Sequence, residues 1–496
     1  MISATGWFST CKEMLRDPVF DGFVIYLLVI LVVGFLTYRF TRSIGDFLLA
    51  GRRLGPWLTA FSERASGESA WLLLGLPGVA LAAGMADFWV VIGCLAGIAF
   101  SWLFIARPLR RETERLGALT LPHLFDRKFP TLPRHLLRVT ATLIITFFFT
   151  YYIAAQFNGA GKVLNQSFGI SQYWGMSIGA VIILFYTMMG GFIAVVWTDL
   201  VQGIIMIVAL VLLPVVGIWE LGGLGALSEG LTRLDPEAIS IFGGAGGGLA
   251  LLMAINGLSW GLGYMGQPHL LTRFMAIRQE GDLKKGFFIA MAWAIPAFVG
   301  AYVIGLIGWV ILSGDTSVIG GDQEKILPWL ARSLLHPALA GVLISGAIAA
   351  MMSTADSQLL VTTSAVAEDV YHQMIRPEAD QRRLVGLTRL VTLLVGIFAF
   401  ALAITTQDLV FKMVSYAWGG LGASFGPALL LALWWKRTSG WGVFAGLVSG
   451  TVMTISWPLL PVVGTALSAR FAAFFIALGL VVVVSLLDGK SQHDTA

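Results

Sequence analysis

Two apolar segments of this chain are long enough to cross a membrane, but glycine and proline interrupt both of them. Residues 65–78 contain three glycines and a proline, and residues 256–274 contain four glycines and a proline. An unpaired backbone N–H or C=O is costly in hydrocarbon, so a broken helix persists only where protein, water or a solute satisfies the freed groups. Two such breaks at matching places in the two halves of a chain are typical of a secondary transporter.

The rest of the chain has the composition of a polytopic membrane protein, with 57% hydrophobic and only 12% charged residues among 496. A helix needs about 20 apolar residues to cross a bilayer, and the apolar runs predict thirteen such helices. The predicted spans are 19–40, 56–81, 86–106, 136–166, 171–190, 194–218, 243–268, 286–313, 334–368, 384–405, 409–435, 440–460 and 467–487. The predicted fold class is therefore an all-α polytopic membrane protein.

The distribution of arginine and lysine predicts the orientation. The loop at 107–138 holds eight Arg and Lys against three acidic residues, whereas the loop at 220–237 holds four acidic residues against one Arg. Because basic loops stay in the cytoplasm, the amino terminus should lie outside and the carboxyl terminus inside a cell membrane. This asymmetry explains the net charge of +4, and no basic face suggests a nucleic-acid partner.

Five blocks of sequence resemble the solute:sodium symporter family, and within it the sodium/proline symporters. These blocks are 52–55 with 71–78, 186–202, 260–273, 352–360 and 415–427. The resemblance covers about residues 20–440. It implies a LeuT-type core of two inverted five-helix repeats at 56–218 and 243–435. One further helix would lie in 1–55, and two helices with a short cytoplasmic tail in 436–496.

Ser353 and Thr354 are candidate ligands for a sodium ion. Hydroxyl and carbonyl oxygens can surround a hard cation without burying a full charge. The resemblance implies a sodium site formed by the carbonyls of Ala65, Glu68 and Ala350 and the hydroxyls of Ser353 and Thr354. The alternative is that both hydroxyls only bond to the preceding turn of their own helix.

An amino acid zwitterion needs donors for its carboxylate, acceptors for its amino group and an apolar wall. Half-helix amino termini, expected at 66–71 and 261–266, would supply N–H donors. The resemblance implies a pocket lined by Ser69, Ala70, Trp71, Tyr152, Trp260, Tyr264, Gln267 and Pro268. The alternative for any single tryptophan is a place in an interfacial aromatic belt, since the chain has 17 of them.

One departure from the family pattern is important. Sodium/proline symporters carry an aspartate where this chain has Gly67, and an apolar residue where it has Glu68. Either Glu68 does the same electrostatic work one position later, or the coupling ion or the substrate differs. The predicted function is sodium-coupled import of a small amino acid, with proline favoured. The alternatives are a sodium symporter for another small solute and a transporter-like receptor.

Several other residues have predicted structural roles. The adjacent Glu63 and Arg64 are expected to pair at a helix end, Asp199 to cap or orient the helix that begins there, and Asp356 to bond with neighbouring hydroxyls. Cys11 and Cys94 are expected to be packing residues. The six histidines are scattered and no metal or nucleophile constellation is visible, so an enzyme is not predicted.

Overall fold

A computed structural model of the chain describes residues 16–38, 44–189, 191–406, 408–461 and 463–489. Its main helices are α1 Pro18–Tyr38, α2 Pro56–Gly67, α3 Leu76–Ala83, α4 Trp89–Arg115, α5 Leu121–Lys128, α6 Leu136–Phe168, α7 Gln172–Met189, α8 Phe192–Leu221, α9 Leu224–Leu234, α10 Gly247–Leu258, α11 Pro268–Ala276, α12 Asp282–Leu312, α13 Ile326–Leu334, α14 Pro337–Ser364, α15 Gln381–Thr405, α16 Val410–Trp434, α17 Gly440–Ser456 and α18 Ala469–Asp488. Cys11 lies outside the described residues, and Cys94 is buried as predicted.

The prediction of an all-α polytopic membrane protein is confirmed. Eleven described helices are long and apolar enough to cross a membrane, and the bent pair formed by α2 and the segment Trp71–Asp87 adds a twelfth span. The shorter apolar helix Gln172–Met188 lies where the fifth span is predicted. Each of the thirteen predicted spans therefore overlaps a helix or, for 56–81, a bent pair of helices. The described residues contain no β-strand beyond one isolated bridge.

The first break separates α2 from α3. The helix ends at Gly67 because Glu68 has non-helical backbone angles of φ −104° and ψ 75°. The chain then resumes with a π-helical turn at Trp71–Gly75, and the axes of the two parts differ by 60°. The amino terminus of this second half-helix lies within the predicted range of 66–71.

The second break separates α10 from α11. A four-residue helix at Trp260–Gly263 and a 3₁₀ turn at Tyr264–Gly266 follow α10, and the extended Gln267 then leads into Pro268. Proline suits the first position of a helix because its missing N–H has no helical partner there. The half-helix amino terminus predicted at 261–266 is therefore wrong, since this terminus lies at Pro268.

The two broken spans run in opposite directions. Leu54, just before α2, donates its N–H to the carbonyl of Ala276 at 3.2 Å, and Arg278 N–H donates to the carbonyl of Leu54 at 2.9 Å. The start of the first broken span therefore lies beside the end of the second. Arg52, close to both ends, donates to the carbonyls of Thr113 and Ala118, so these ends lie beside the loop 107–138 that the charge pattern places in the cytoplasm.

Glycine allows the second broken span to pack tightly against its neighbours. A Cβ atom at Gly97 of α4 would lie 2.5 Å from the Cα of Gly261, and a Cβ at Gly263 would collide with the indole of Trp418. Small residues at such contacts let membrane helices approach closely. The glycines therefore serve both the break itself and the packing around it.

Candidate functional site

Two hydroxyls of α14 cross to the carbonyls that the first break frees. Ser353 Oγ donates to the carbonyl of Ala65 at 2.8 Å and to that of Ala350 at 3.1 Å, and Thr354 Oγ1 donates to the carbonyl of Ser66 at 3.0 Å. All five residues are buried. The predicted alternative, a bond to the preceding turn, holds only for the contact between Ser353 and Ala350. The carbonyl of Ser66 was not among the predicted ligands.

The side chain of Glu68 lies in a cluster of buried charges. Its Oε1 atom accepts from Arg64 Nη1 at 2.8 Å and from the Tyr264 hydroxyl at 2.8 Å. Its Oε2 atom has no hydrogen-bond partner among the described residues. The predicted pair of Glu63 and Arg64 is confirmed, and Trp102 Nε1 also donates to Glu63 at 3.1 Å. The bonds of the Glu68 carboxylate therefore lead to Arg64 and Tyr264 rather than to α14.

Side chains of α6 satisfy other groups at the first break. The N–H of Ala70 donates to Gln156 Oε1 at 3.1 Å, and the hydroxyls of Ser69 and Tyr152 lie 3.3 Å apart. The indole N–H of Trp71 donates to the carbonyl of Gly67 at 3.3 Å. The sequence reasoning missed Gln156. A polar amide in the middle of an apolar helix is the signal that would have identified it.

The predicted aromatic residues meet between the two breaks. The rings of Trp71 and Trp260 stack with their centroids 4.8 Å apart and an interplanar angle of 21°. Phe411 packs on Trp260 at 4.8 Å, and Phe298 packs on Trp71 at 5.7 Å. Both tryptophans are almost fully buried. They are therefore core residues here, not members of an interfacial belt.

The second break is held by N–H donors. Trp418 Nε1 donates to the carbonyl of Trp260 at 3.0 Å, and Gln267 Nε2 donates to the carbonyls of Gly263 at 3.2 Å and Trp418 at 3.0 Å. Tyr264 packs edge-on against Trp418, with the ring centroids 4.6 Å apart. The amide oxygen of Gln267 is buried and has no partner among the described residues.

Pro268 lines a cavity that lies beside α11 and α14. This cavity is small, with a volume of about 20 Å³, and its wall includes Thr120, Thr272, Leu360 and Ser364. The loop that contains Thr120 belongs to the segment predicted to face the cytoplasm. Pro268 thus lies on the predicted inner side of the aromatic cluster.

Asp199 does not cap a helix, and that prediction is wrong. Its helix, α8, begins at Phe192, so Asp199 lies two turns inside it. Its Oδ2 atom accepts from Ser62 Oγ at 2.6 Å and Ser66 Oγ at 3.0 Å, and it forms an ion pair with Arg273 at 3.1 Å. The partners of Asp199 therefore lie on other helices, α2 and α11.

Arg273 connects the same junction to α14. Its Nη2 atom donates to Ser357 Oγ at 2.5 Å, and Ser357 in turn donates to Asp356 Oδ1 at 3.3 Å. The prediction that Asp356 bonds a neighbouring hydroxyl is confirmed. A fully buried network of charges and hydroxyls therefore supports the first break from the side of α8, α11 and α14.

A buried glutamate outside the spans holds the start of α16. Glu324 accepts from the N–H groups of Val410 and Phe411, each at 2.8 Å, and from Lys162 Nζ at 2.6 Å. Burial raises the pKa of the Glu324 carboxyl, against the opposing effect of Lys162. Because Phe411 packs on Trp260, this contact fixes one wall of the aromatic cluster. The sequence reasoning did not identify Glu324.

Two comparisons with known proteins agree on the class of protein. The model of the sodium:solute symporter family matches residues 47–450. The chain is 41% identical over 428 residues to the high-affinity proline transporter PutP of Bacillus subtilis (strain 168), covering 86% of this chain and 89% of that one. It is 37% identical over 447 residues to the sodium/proline symporter of Escherichia coli (strain K12), covering 89% and 88%.

A solved structure confirms the predicted LeuT-type fold. The structure is a substrate-bound, outward-open state of a Na⁺-coupled sialic acid symporter. The TM-score is 0.79 at 17% sequence identity, and the alignment covers 95% of this chain and 98% of that one. At this level of identity the likeness concerns the fold alone.

Proposed function

The chain belongs to the sodium:solute symporter family, and on that premise we propose that it imports proline together with sodium by alternating access. One observation carries this proposal. The hydroxyls of Ser353 and Thr354 reach the carbonyls that the first break frees, at 2.8 and 3.0 Å. Carbonyl and hydroxyl oxygens are the ligands that a hard cation prefers. The names of the relatives support proline as the solute.

The sodium ion is cargo here, and the oxygens around the first break suit it. A hydroxyl that donates to a carbonyl keeps its own lone pairs, so it can turn and become a ligand when a cation arrives. The proposed ligands are the carbonyls of Ala65, Ser66, Glu68 and Ala350 and the hydroxyls of Ser353 and Thr354. Binding would replace bonds between helices with bonds through the ion.

The proposed solute pocket lies at the stacked tryptophans. The apolar ring of proline would lie against Trp71 and Trp260, and its polar groups would bind near Ser69, Ala70, Tyr152 and Tyr264. Gln267 would contribute its unpaired amide oxygen, with Pro268 at the inner edge. Because the two indoles are in contact, the solute enters only when they separate.

Alternating access requires one route on each side of the pocket. On the outer side, Glu324 and Lys162 hold the amino terminus of α16 over the tryptophans. On the inner side, the small cavity beside Pro268 would have to widen to form the exit. We propose that the repeats 56–218 and 243–435 move against each other in a cell membrane. The amino terminus would lie outside and the carboxyl terminus in the cytoplasm.

One observation favours a second candidate, a sodium symporter for a different small solute. The Glu68 carboxylate is bonded to Arg64 and to Tyr264, which is itself a candidate pocket residue. Charges in this position depart from the pattern of the sodium/proline symporters. They would alter the polarity of one pocket wall and therefore the choice of solute.

Ligand-dependent thermal stability of the purified full-length protein tests the proposal. A ligand that binds only the folded state stabilises it by RT ln(1 + [L]/Kd). Proline should raise the unfolding temperature in sodium and not in potassium, whereas glycine betaine and other amino acids should raise it less. Proteoliposomes should then accumulate labelled proline when a sodium gradient is imposed. Stabilisation without accumulation would indicate a receptor, and a stronger effect of another solute would favour the second candidate.

A further inference from the structure

The last helix, α18, lies outside the predicted ten-helix core, but its Arg470 side chain reaches the candidate pocket. The guanidinium carbon of Arg470 lies 4.7 Å from the centroid of the Trp260 ring. Trp260 also stacks on Trp71. An arginine over an indole face is held there by the ring quadrupole. One side chain of α18 therefore contacts a residue that the proposed function places in the solute site.

The nitrogens of Arg470 bind the two segments that flank this ring. Nε donates to Ser259 Oγ at 3.2 Å and Nη2 to the carbonyl of Asn256 at 3.2 Å, while Nη1 donates to Ser415 Oγ. Asn256 lies in the last turn of α10, Ser259 follows that helix directly before Trp260, and Ser415 belongs to α16. Because a guanidinium is a planar fork, these bonds fix the plane in which it faces the indole.

Arg470 forms no ion pair with a described carboxylate, and Asp87 acts on it only at longer range. A partly buried cation without a carboxylate partner is costly near the membrane interior, so Arg470 is a candidate for a functional role. Its environment consists of hydroxyls, a carbonyl, the indole face and a cleft whose wall also includes Asp408 and Lys412. These groups orient the side chain without neutralising it.

The start of α18 also binds α10 through bonds that do not involve the ring. Asn256 Nδ2 donates to the carbonyl of Ala466 at 2.9 Å, and the N–H of Ser468 donates to Asn256 Oδ1 at 2.8 Å. These bonds attach the two helices to each other. The variant Asn256→Ala is therefore a matched control, because it loosens the attachment of α18 to α10 without removing the contact between Arg470 and Trp260.

We propose that Arg470 is a positioning residue that holds Trp260 in the orientation required to close the solute pocket. The inference rests on the proposed function. It implies that α18 contributes a residue that shapes the solute pocket. Arg470 acts through the ring and not by contact with the solute.

Transport kinetics of full-length variants test this inference. Arg470→Met should raise the KM for proline about ten-fold and change kcat by less, because a desolvated cation–π contact is lost. Arg470→Lys should recover part of the loss, since an ammonium can also face the ring. Asn256→Ala should leave KM within about two-fold. In a Trp260→Leu background, Arg470→Met should add little further effect, as expected for two groups that act through one contact.

Near-ultraviolet circular dichroism of the ligand-free protein reports on the stacked indole pair independently of transport. Arg470→Met should reduce this signal as Trp260→Leu does, and Asn256→Ala should not. Equal effects of Arg470→Met and Asn256→Ala on both KM and the signal, or additive effects in the Trp260→Leu background, would overturn the inference. If proline and sodium fail to stabilise even the wild type, the proposed function fails and the dichroism alone decides whether Arg470 positions the ring.

Discussion

The two broken spans differ in the groups that satisfy their freed carbonyls. At the first break, the donors to Ala65 and Ser66 include the hydroxyls of Ser353 and Thr354. At the second break, the donors to Trp260 and Gly263 are an indole N–H and an amide N–H. A hydroxyl oxygen can become a cation ligand, whereas these N–H groups have no lone pair to offer. The first break is therefore suited to an ion, and the second to a fixed scaffold.

The breaks also differ in their support. Arg273, Asp199 and the hydroxyls of Ser62 and Ser66 form a buried network beside the first break. Such a network is stable only while every charge keeps its partner, because an unpaired charge is expensive in a poorly hydrated interior. The first break thus combines exchangeable bonds to α14 with a rigid anchor.

The largest effect is expected at this anchor. Arg273→Met should destabilise the protein by about 3–5 kcal/mol, because it leaves the buried Asp199 carboxylate without its ion-pair partner. The thermal unfolding temperature in detergent measures this loss. Arg233→Met is the matched control, since its pair with Glu229 is exposed. The double variant Arg273→Met with Asp199→Asn should recover part of the loss. An unchanged unfolding temperature for Arg273→Met would contradict the role of the anchor.

The second largest effect is expected at the proposed sodium ligands, and it distinguishes the first break from the second. Ser353→Ala or Thr354→Ala should raise the sodium concentration for half-maximal uptake about ten-fold, since one ligand contributes about 1–3 kcal/mol. Trp418→Phe removes the N–H donor at the second break and should leave the sodium requirement nearly unchanged. Sodium activation curves in proteoliposomes give both values. If Trp418→Phe shifts the curve as much as Thr354→Ala does, the distinction between the breaks is wrong.

A smaller effect is expected at the start of α16, where Phe411 packs on Trp260 between the two breaks. Glu324→Ala removes the acceptor for the first N–H groups of α16, which should cost about 1 kcal/mol and speed hydrogen exchange at Val410 and Phe411 about five-fold. Exchange measured by mass spectrometry tests this. Asp315→Ala is the control, because Asp315 caps an exposed turn in the same loop, between α12 and α13. Equal exchange at Phe411 in both variants would show that Glu324 does not hold α16.

The smallest effect is expected at Glu68. Its carboxylate bonds Arg64 and Tyr264 rather than the proposed ion ligands, and Arg64 keeps Glu63 as its partner, so Glu68→Gln should change the sodium requirement by only about two-fold to three-fold. The double change Gly67→Asp with Glu68→Met is the comparison variant, because it moves the carboxylate from position 68 to position 67. A Cβ at Gly67 would lie 3.8 Å from Arg64 Nη2. A ten-fold or larger shift for Glu68→Gln alone would mean that this carboxylate acts on the ion after all.

Much of the architecture was predictable because it depends on local patterns. Apolar runs of sufficient length identify spans, and clustered glycine and proline identify breaks, since both follow from the cost of exposing polar backbone to hydrocarbon. The roles of Ser353 and Thr354 in a sodium site and of Trp71 and Trp260 in a pocket were instead implied by the resemblance to the symporter family. Asp199 was misjudged because the motif around it suggested a helix start, whereas the helix begins at Phe192.

By itself the sequence determined the class of the protein, its spans, the positions of the breaks and the chemical types of residue available there. Only the tertiary structure decided which groups meet: Ser353 bonds Ala65 across 288 positions, and Arg470 reaches Asn256 across 214. It also decided that Glu68 faces Arg64 and Tyr264 and that Glu324 holds α16. Hydrophobicity acts residue by residue and is visible along the chain. The direction of a hydrogen bond depends on which helices pack together, and no local pattern contains that information.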